Sequence, residues 1–410
     1  MRNQKLQLLR TPPSTLRTLP KMALSFVHTA DWHLGHTYWR IGRNATQSTQ
    51  WRFEAVRRIW QLAADKSADF IVVAGDVFDT DTPSESVRHQ TLELLADAPA
   101  PVYLISGNHD PAAEGSVWFH PDFAQGLAKL PRVHATLEAK PLEAEGDCLL
   151  FPCPVTRKYA RADATTWIPV GERGQRFRVG LAHGSWRGYF GGEERELNCI
   201  ASDCAHRAGL DYLALGDYHG FTPADHAAAR ARCFYAGTPE ITARDSMRAG
   251  HALLVSLDEP GEIPLVEPHR VGKVVLHDLG TKRIAGGDDL EALGEALKEV
   301  ENRDETILRV RIEGQVAPSV QKAAVAWATQ MRDSWLGADI DVGKLRALPS
   351  RDDFAPLKLE PLEEALLEML GSPLDLAELS TKDAARLSDW SLDERARQEA
   401  MALYFRVLGG

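Results

Sequence analysis

The chain has 410 residues, 44% of them apolar and 26% charged, enough for two or three domains with ample core. No apolar run approaches the roughly 18 residues that would span a bilayer, so a membrane-spanning helix is excluded from the reading. The five cysteines are odd in number and irregular in spacing, which excludes a disulfide scaffold, points to a reducing compartment and leaves small buried residues as their expected role. A formal charge of −11 does not suit a protein that coats nucleic acid. That charge is uneven: residues 351–410 hold 13 Asp/Glu and 7 Lys/Arg, contributing −6 of the −11. Any site for a polyanion must therefore be a local patch helped by bound cations.

In chain order, residues 1–22 read as a disordered or non-native basic extension. Five Lys/Arg and no acid fall within the first 21 residues, without the apolar middle of a secretory signal. Residues 23–268 then alternate short apolar runs with amphipathic stretches. The strand candidates are "LSFVHTA", "DFIVVAGDVFD", "PVYLISGNHD", "CLLFPCPV", "FRVGLAHG", "DYLALGDYHG", "CFYAGTP" and "HALLVSLD". Helices are predicted over Trp51–Lys66, with Phe53, Val56, Ile59, Trp60 and Ala63 at helical spacing, and over Pro83–Ala96. This alternation predicts a layered α/β domain.

A second module is predicted over residues 269–350. Its strands are "KVVLHDL" and "TILRVRIEG", beside helices at Asp288–Val300 and Val320–Trp335. In Thr306–Ile312 the apolar residues face one way while Arg309 and Arg311 face the other, which predicts a half-exposed sheet in a small α+β module. Residues 351–410 read as a helical tail. Pro361 suits a first helical turn, Leu362, Leu366 and Leu370 recur every four residues, and Leu403, Phe405 and Leu408 mark a second apolar-faced helix.

Five strand candidates share one property: each apolar run ends in a residue able to bind metal. The ends are Asp31 and His33 in "HTADWHLG"; Asp76, with Asp79 three residues on, in "VVAGDVFD"; Asn108, His109 and Asp110 in "LISGNHD"; His183 in "GLAHG"; and Asp217 and His219 in "LALGDYHG". In an open α/β sheet, residues just past the strand C-termini gather at one edge, where sites form. Any one of these motifs alone is more often a turn or a helix cap. Their conjunction predicts a centre of carboxylate, imidazole and amide donors, suited to two divalent ions such as Mn²⁺ better than to a thiolate zinc site.

The five blocks, in this order, resemble the calcineurin-like metallophosphoesterase superfamily, whose pattern is D-x-H, G-D-x-x-D, G-N-H-D/E, G-H and G-H-x-H. Within it, "HTADWHLG", "GDVFD" and "ISGNHD" are similar to the DNA repair nuclease branch, the SbcD-type subunit. The resemblance implies a four-layer α/β/β/α sandwich followed by a capping domain and a helical tail that binds a partner. It implies that Asp31, His33 and His219 hold one ion, that Asp76 bridges both, and that Asn108, His183 and Asp217 hold the second. His109 would lie beside the scissile phosphate with Asp110 orienting it. Position 217 departs from the pattern, because the superfamily has His there. An aspartate can ligate Mn²⁺; alternatively its shorter side chain falls short and leaves a water in its place.

After the first block, His36, Tyr38, Trp39, Arg40, Arg43 and Arg52 combine cations with aromatics, as contacts to a phosphate backbone and stacked bases require. Trp186, Arg187 and Tyr189 after His183 are a similar set. A solvated loop and an ordinary helix are the plainer reading of both. The resemblance implies a cytoplasmic Mn²⁺-dependent nuclease, exonuclease and potentially endonuclease, acting at DNA ends in repair or recombination. Its implied partners are DNA, an SMC-like coiled-coil ATPase of the SbcC type and a second copy of the chain. Two alternatives stay open: a phosphodiesterase for a nucleotide or other small ester, and a DNA-end-binding scaffold with an impaired second metal site.

Overall fold

The computed structural model describes residues 23–37, 45–171, 176–187, 189, 198–222, 232–241, 248–354, 359, 361–371 and 394–408. The chain divides into two compact units, one of Met1–His36 with Thr49–Gly272 and the other of Thr37–Ser48 with Lys273–Gly410. The sequence boundary at 268 falls four residues short of this division.

In chain order the described elements of the first unit are β1 (Leu24–Thr29), α1 (Ala45–Asp65), β2 (Phe70–Ala74), α2 (Glu85–Ala96), β3 (Val102–Ile105), α3 (Pro121–Leu127), β4 (Val133–Ala135), β5 (Leu142–Ala144), β6 (Cys148–Cys153), β7 (Phe177–His183), β8 (Ser185–Trp186), β9 (Cys199–Ile200), α4 (Cys204–Arg207), β10 (Tyr212–Gly216), β11 (Cys233–Tyr235), β12 (His251–Leu257) and β13 (Leu265–Arg270). Two sheets result. The first has the order β13-β12-β1-β2-β3-β4 and the second β11-β10-β7-β6-β5. β1 to β4 run parallel, with β12 antiparallel beside β1. In the second sheet β6, β7, β10 and β11 are parallel and only β5 is reversed.

The strands of a parallel pair covered on both faces are near-continuous apolar runs, and β2 (FIVVA) is buried throughout. Its residues divide between two cores. Phe26, Phe70, Val72, Ala74 and Ile105 meet Leu150, Phe177, Val179, Leu181 and Ala214 of the other sheet. The opposite faces, with Val27, Ile71, Val73 and Leu104, pack on Phe53, Val56, Ile59, Trp60 and Ala63 of α1 and Leu94 and Leu95 of α2. Outside the second sheet, Leu213, Leu215 and Cys233 pack on Cys204 and Ala205 of α4. The layers are therefore α/β/β/α. All five cysteines are buried, and none is in a disulfide.

The second unit contains β14 (Val275–Arg283), α5 (Gly287–Lys298), β15 (Thr306–Val316), α6 (Pro318–Ser334), β16 (Gly337–Ala347), α7 (Pro361–Gly371) and α8 (Glu394–Val407). Its three strands are parallel in the order β14-β15-β16. Leu308, Val310 and Ile312 bury one face with Ala324 and Ala328 of α6, while Arg309 turns away and pairs with Asp278 at 2.6 Å. β16 escapes the sequence reading because Gly337, Asp339, Asp341 and Gly343 are poor strand formers; pairing along β15 overrides that preference. Phe405 of α8 packs on Phe354 of the same unit, and Leu366 and Leu403 are exposed. Among the described residues no helix is long and apolar enough to cross a membrane.

Candidate metal centre

The donors of the first unit meet where β1, β2, β3, β7 and β10 end. The loops after β1 and β2 run side by side, tied by Asp31 N–H to the Gly75 carbonyl (3.0 Å), His33 N–H to that of Asp76 (3.0 Å) and Leu34 N–H to that of Val77 (2.9 Å). Asp31, His33, Asp76 and Asp217 all have positive φ, between 43° and 98°. That region is uncommon for side chains other than glycine, costs of order 1–3 kcal/mol each, and clusters at functional sites. The backbone is bent so that these side chains converge.

They converge tightly. One ligand atom each from Asp31, His33 and His219 lie within 4.8 Å of one another, as do atoms of Asp31, Asp76 and His183, and of His33, Asp79 and His109. The Nε2 atoms of His33 and His219 are 3.2 Å apart, and Asp76 Oδ2 is 3.6 Å from the former. His183 Nδ1 lies 2.9 Å from the Ala74 carbonyl, so Nε2 is the ring nitrogen turned to the cluster. That nitrogen faces the Asn108 Oδ1 at 2.6 Å, Asp76 Oδ2 at 3.5 Å and Asp217 Oδ1 at 4.0 Å. A proton on Nε2 bridges these groups in the metal-free protein, and a divalent ion would take its place among the same four donors.

The protonation states follow from this crowding of charges. Burial alone would lower the His183 pKa, but Asp76, Asp31 and Asp217 override it and hold it well above the ordinary value. Burial raises the Asp31 carboxyl, against the pull of His183. Burial also works to raise Asp76, but His183, His33 and His109 outweigh it and hold its carboxyl below the usual range. His219 is pushed down to about 3 by burial and by His33, so it offers a neutral ring nitrogen. Oxygen and imidazole donors without sulfur fit hard to borderline divalent ions.

Asp79, left without a role in the sequence reading, is a hub. Its Oδ1 lies 3.4 Å from His33 Nδ1 and 3.0 Å from His36 Nδ1, and its backbone carbonyl accepts from His109 Nδ1 at 2.8 Å. Asp110, expected to orient His109, acts from beneath the turn. It is fully buried, and its carboxylate accepts from Gly107 N–H (2.7 Å) and Phe78 N–H (3.0 Å), so it shapes the turn that presents Asn108 and His109.

Two expected substrate contacts are corrected. Arg52 is 1% exposed and donates to the carbonyls of Trp32 (3.4 Å), Glu240 (3.4 Å) and Ile241 (2.5 Å). Burial brings its guanidinium down to about 10, opposed by buried Glu240. Arg52 precedes Val56 and Ile59 by four and seven residues, on the buried stripe of α1, and that spacing was the legible signal. Trp186 is buried as well, stacked on Tyr189 with ring centroids 5.9 Å apart. Arg187 is exposed, and His36 sits at the edge of the cluster through Asp79. Arg40 and Arg43, with Tyr38 and Trp39, lie outside the described residues.

Residues 24–221 match the family described as calcineurin-like phosphoesterase, and the chain carries a calcineurin-like metallophosphoesterase domain. That family uses divalent metals. Among curated proteins the chain is similar to a subunit of the nuclease SbcCD from Staphylococcus epidermidis, 35% identical over 103 residues, which are 23% of this chain and 26% of that one. It is similar to the "DNA double-strand break repair protein Mre11" of Archaeoglobus fulgidus, 30% identical over 104 residues, 24% of this chain and 22% of that one. It also resembles the "Uncharacterized metallophosphoesterase YhaO" of Bacillus subtilis, 27% identical over 219 residues, 48% of each. The chain thus spans less than half the length of these relatives in each match. Among solved structures, calcineurin-like phosphoesterase YfkN from Bacillus subtilis aligns with a TM-score of 0.35 and 12% identity, over 62% of this chain and 92% of that one.

Proposed function

We propose that the protein is a Mn²⁺-dependent nuclease that hydrolyses phosphodiester bonds at DNA ends. The observation that carries this reading is the convergence of His183 Nε2, Asn108 Oδ1 and Asp76 Oδ2, a donor set that suits a divalent cation. In this reading Asp31, His33 and His219 hold one ion, Asp76 touches both, and Asn108, His183 and Asp217 hold the other. The bound ions would supply an acidified water as nucleophile and clamp phosphate oxygens for in-line attack.

The chain's own groups do the rest. His109 Nδ1 lies 2.8 Å from the Asp79 carbonyl, so in the doubly protonated ring that proton stays on the carbonyl and the Nε2 proton is the one that would pass to the leaving oxygen, leaving a neutral ring. The Asp76 carboxylate accepts from His109 N–H at 2.8 Å and so fixes the turn against the cluster. Asp217 in place of a histidine adds a third carboxylate to the centre, which favours a hard ion such as Mn²⁺ over a softer one.

DNA as substrate, work in repair or recombination and action as one part of a larger nuclease are supported by the names of the relatives. An SMC-like ATPase partner docked on the tail at 351–410, a capping role for residues 269–350, a homodimer and a cytoplasmic location belong to the same proposal. The test is cleavage of end-labelled linear duplex in Mn²⁺, with His109→Ala and Asp217→Ala beside the wild type and bound metal counted in each. Cutting abolished by both substitutions, with metal retained in His109→Ala and reduced in Asp217→Ala, is the expected result. Hydrolysis of a small diester but never of DNA would replace the reading with a small-ester phosphodiesterase. Salt-sensitive DNA binding without hydrolysis would replace it with a scaffold.

A further inference from the structure

A cavity of about 420 Å³ opens beside the metal centre, within the range of about 300–1,000 Å³ typical of small-molecule sites. His183 is common to both. Most of the remaining wall is apolar, including Leu137, Val155, Ala162, Ala164 and Ile200, and no phosphate would choose it. A phosphodiester held at the donors would place one of its substituents at this opening.

The wall is built rather than accidental. Val155 is tied to the catalytic turn on both sides: its carbonyl accepts from Ser106 Oγ (2.8 Å) and Ala112 N–H (2.8 Å). Asn198 clamps the next residues, accepting from Ala160 N–H at 2.9 Å and donating through Nδ2 to the Lys158 carbonyl at 2.9 Å. Asp163 accepts from Ala201 N–H at 2.9 Å and closes the far side. Six tethered residues, Thr156-Arg157-Lys158-Tyr159-Ala160-Arg161, form the rim.

That rim carries the chemistry of a nucleic-acid strand. Arg157, Lys158 and Arg161 are exposed, and Tyr159 is 65% exposed with Lys158 Nζ 5.9 Å from its ring centre. Cations beside an exposed aromatic track a phosphate backbone and stack a base. We propose that the cavity takes the unstacked nucleobase next to the scissile phosphate, and that the 156–161 rim holds the single strand leading to it. The proposal rests on the nuclease reading and deepens it: the substrate at the metals is an unpaired or frayed end, not an intact duplex.

The test uses the full chain and single-stranded oligonucleotides carrying 2-aminopurine, whose emission rises when the base leaves its stack. Binding is followed without metal, and cleavage separately in Mn²⁺. Wild type should raise the emission and bind a natural oligonucleotide about tenfold more tightly than one with abasic sites, the value of one stacked base. Ala162→Trp and Thr156→Trp each fill the cavity from an exposed wall position, so one remains if the other misfolds. Both should lose the emission change and the tenfold preference while keeping salt-dependent binding through the rim. Unchanged emission in wild type, or an undiminished preference in the filled variants, overturns the proposal. Cleavage decides only the nuclease reading: an emission change without hydrolysis in Mn²⁺ refutes that reading and leaves the pocket standing.

Discussion

Gly75 is where a single methyl group does most harm to the centre. Its φ is +89°, and a Cβ built there would sit 2.4 Å from His183 Nδ1 and 2.7 Å from His183 Cγ. The imidazole cannot step aside, because Nδ1 is bonded to the Ala74 carbonyl and Nε2 faces Asn108 at 2.6 Å. Gly75→Ala therefore combines about 1–2 kcal/mol for a side chain in left-handed backbone with about 1–3 kcal/mol for overpacking, or about 2–5 kcal/mol in total. The loss should appear in urea unfolding of the metal-free protein. Because the displaced ring is a donor, Mn²⁺ titration by calorimetry should show a weakened site as well. A variant as stable as wild type with undiminished Mn²⁺ binding would refute the packing argument and the placement of His183.

Arg52→Met removes the donor to three buried carbonyls and a buried charge that faces Glu240, so it should cost about 3–5 kcal/mol in denaturant unfolding. If Arg52 instead held DNA, the variant would lose binding at unchanged stability. His28 is fully buried, with Nδ1 2.9 Å from the Tyr212 hydroxyl, and desolvation pushes it down to about 3. Its depressed pKa means that the unfolded chain takes up a proton near pH 6.5 that the folded chain refuses. Stability is therefore lost as pH falls from about 6.5 towards 3, by roughly 2 kcal/mol at pH 5. His28→Gln should flatten the fall in stability between pH 7 and 5 by that amount, and parallel curves would sink the assignment.

The donors were legible because a buried parallel strand is an uninterrupted apolar run, and the first polar residue after it marks an edge. Asp76, His183 and Asp217 follow that rule, while Asp31 and Asn108 each come two residues after the first polar one, Thr29 and Ser106. The contact candidates were harder, since residue type says nothing about which way a side chain faces. Arg52 and Trp186 look like DNA contacts by composition but fill the interior. Tertiary pairing also overrides local preference in β16, and β4 and β5 are three-residue strands too short to show a period. The 156–161 rim went unread for a different reason. It follows β6, whose end carries no carboxylate, imidazole or amide, so nothing in the sequence ties it to the centre until the sheets are packed.

β12 has a consequence for the life of the chain during synthesis. It is the central neighbour of β1, yet it is made after every donor, from residue 251 onward. Until it emerges from the ribosome, β1 has one open edge, and Asp31 and His33 hang from a strand supported only by β2. Domains fold as units, so the centre is completed only once the chain has been translated past Leu257. A strand order that interleaves early and late segments thus acts as a timer: truncated products have all the donors and lack the strand that closes the open edge of β1.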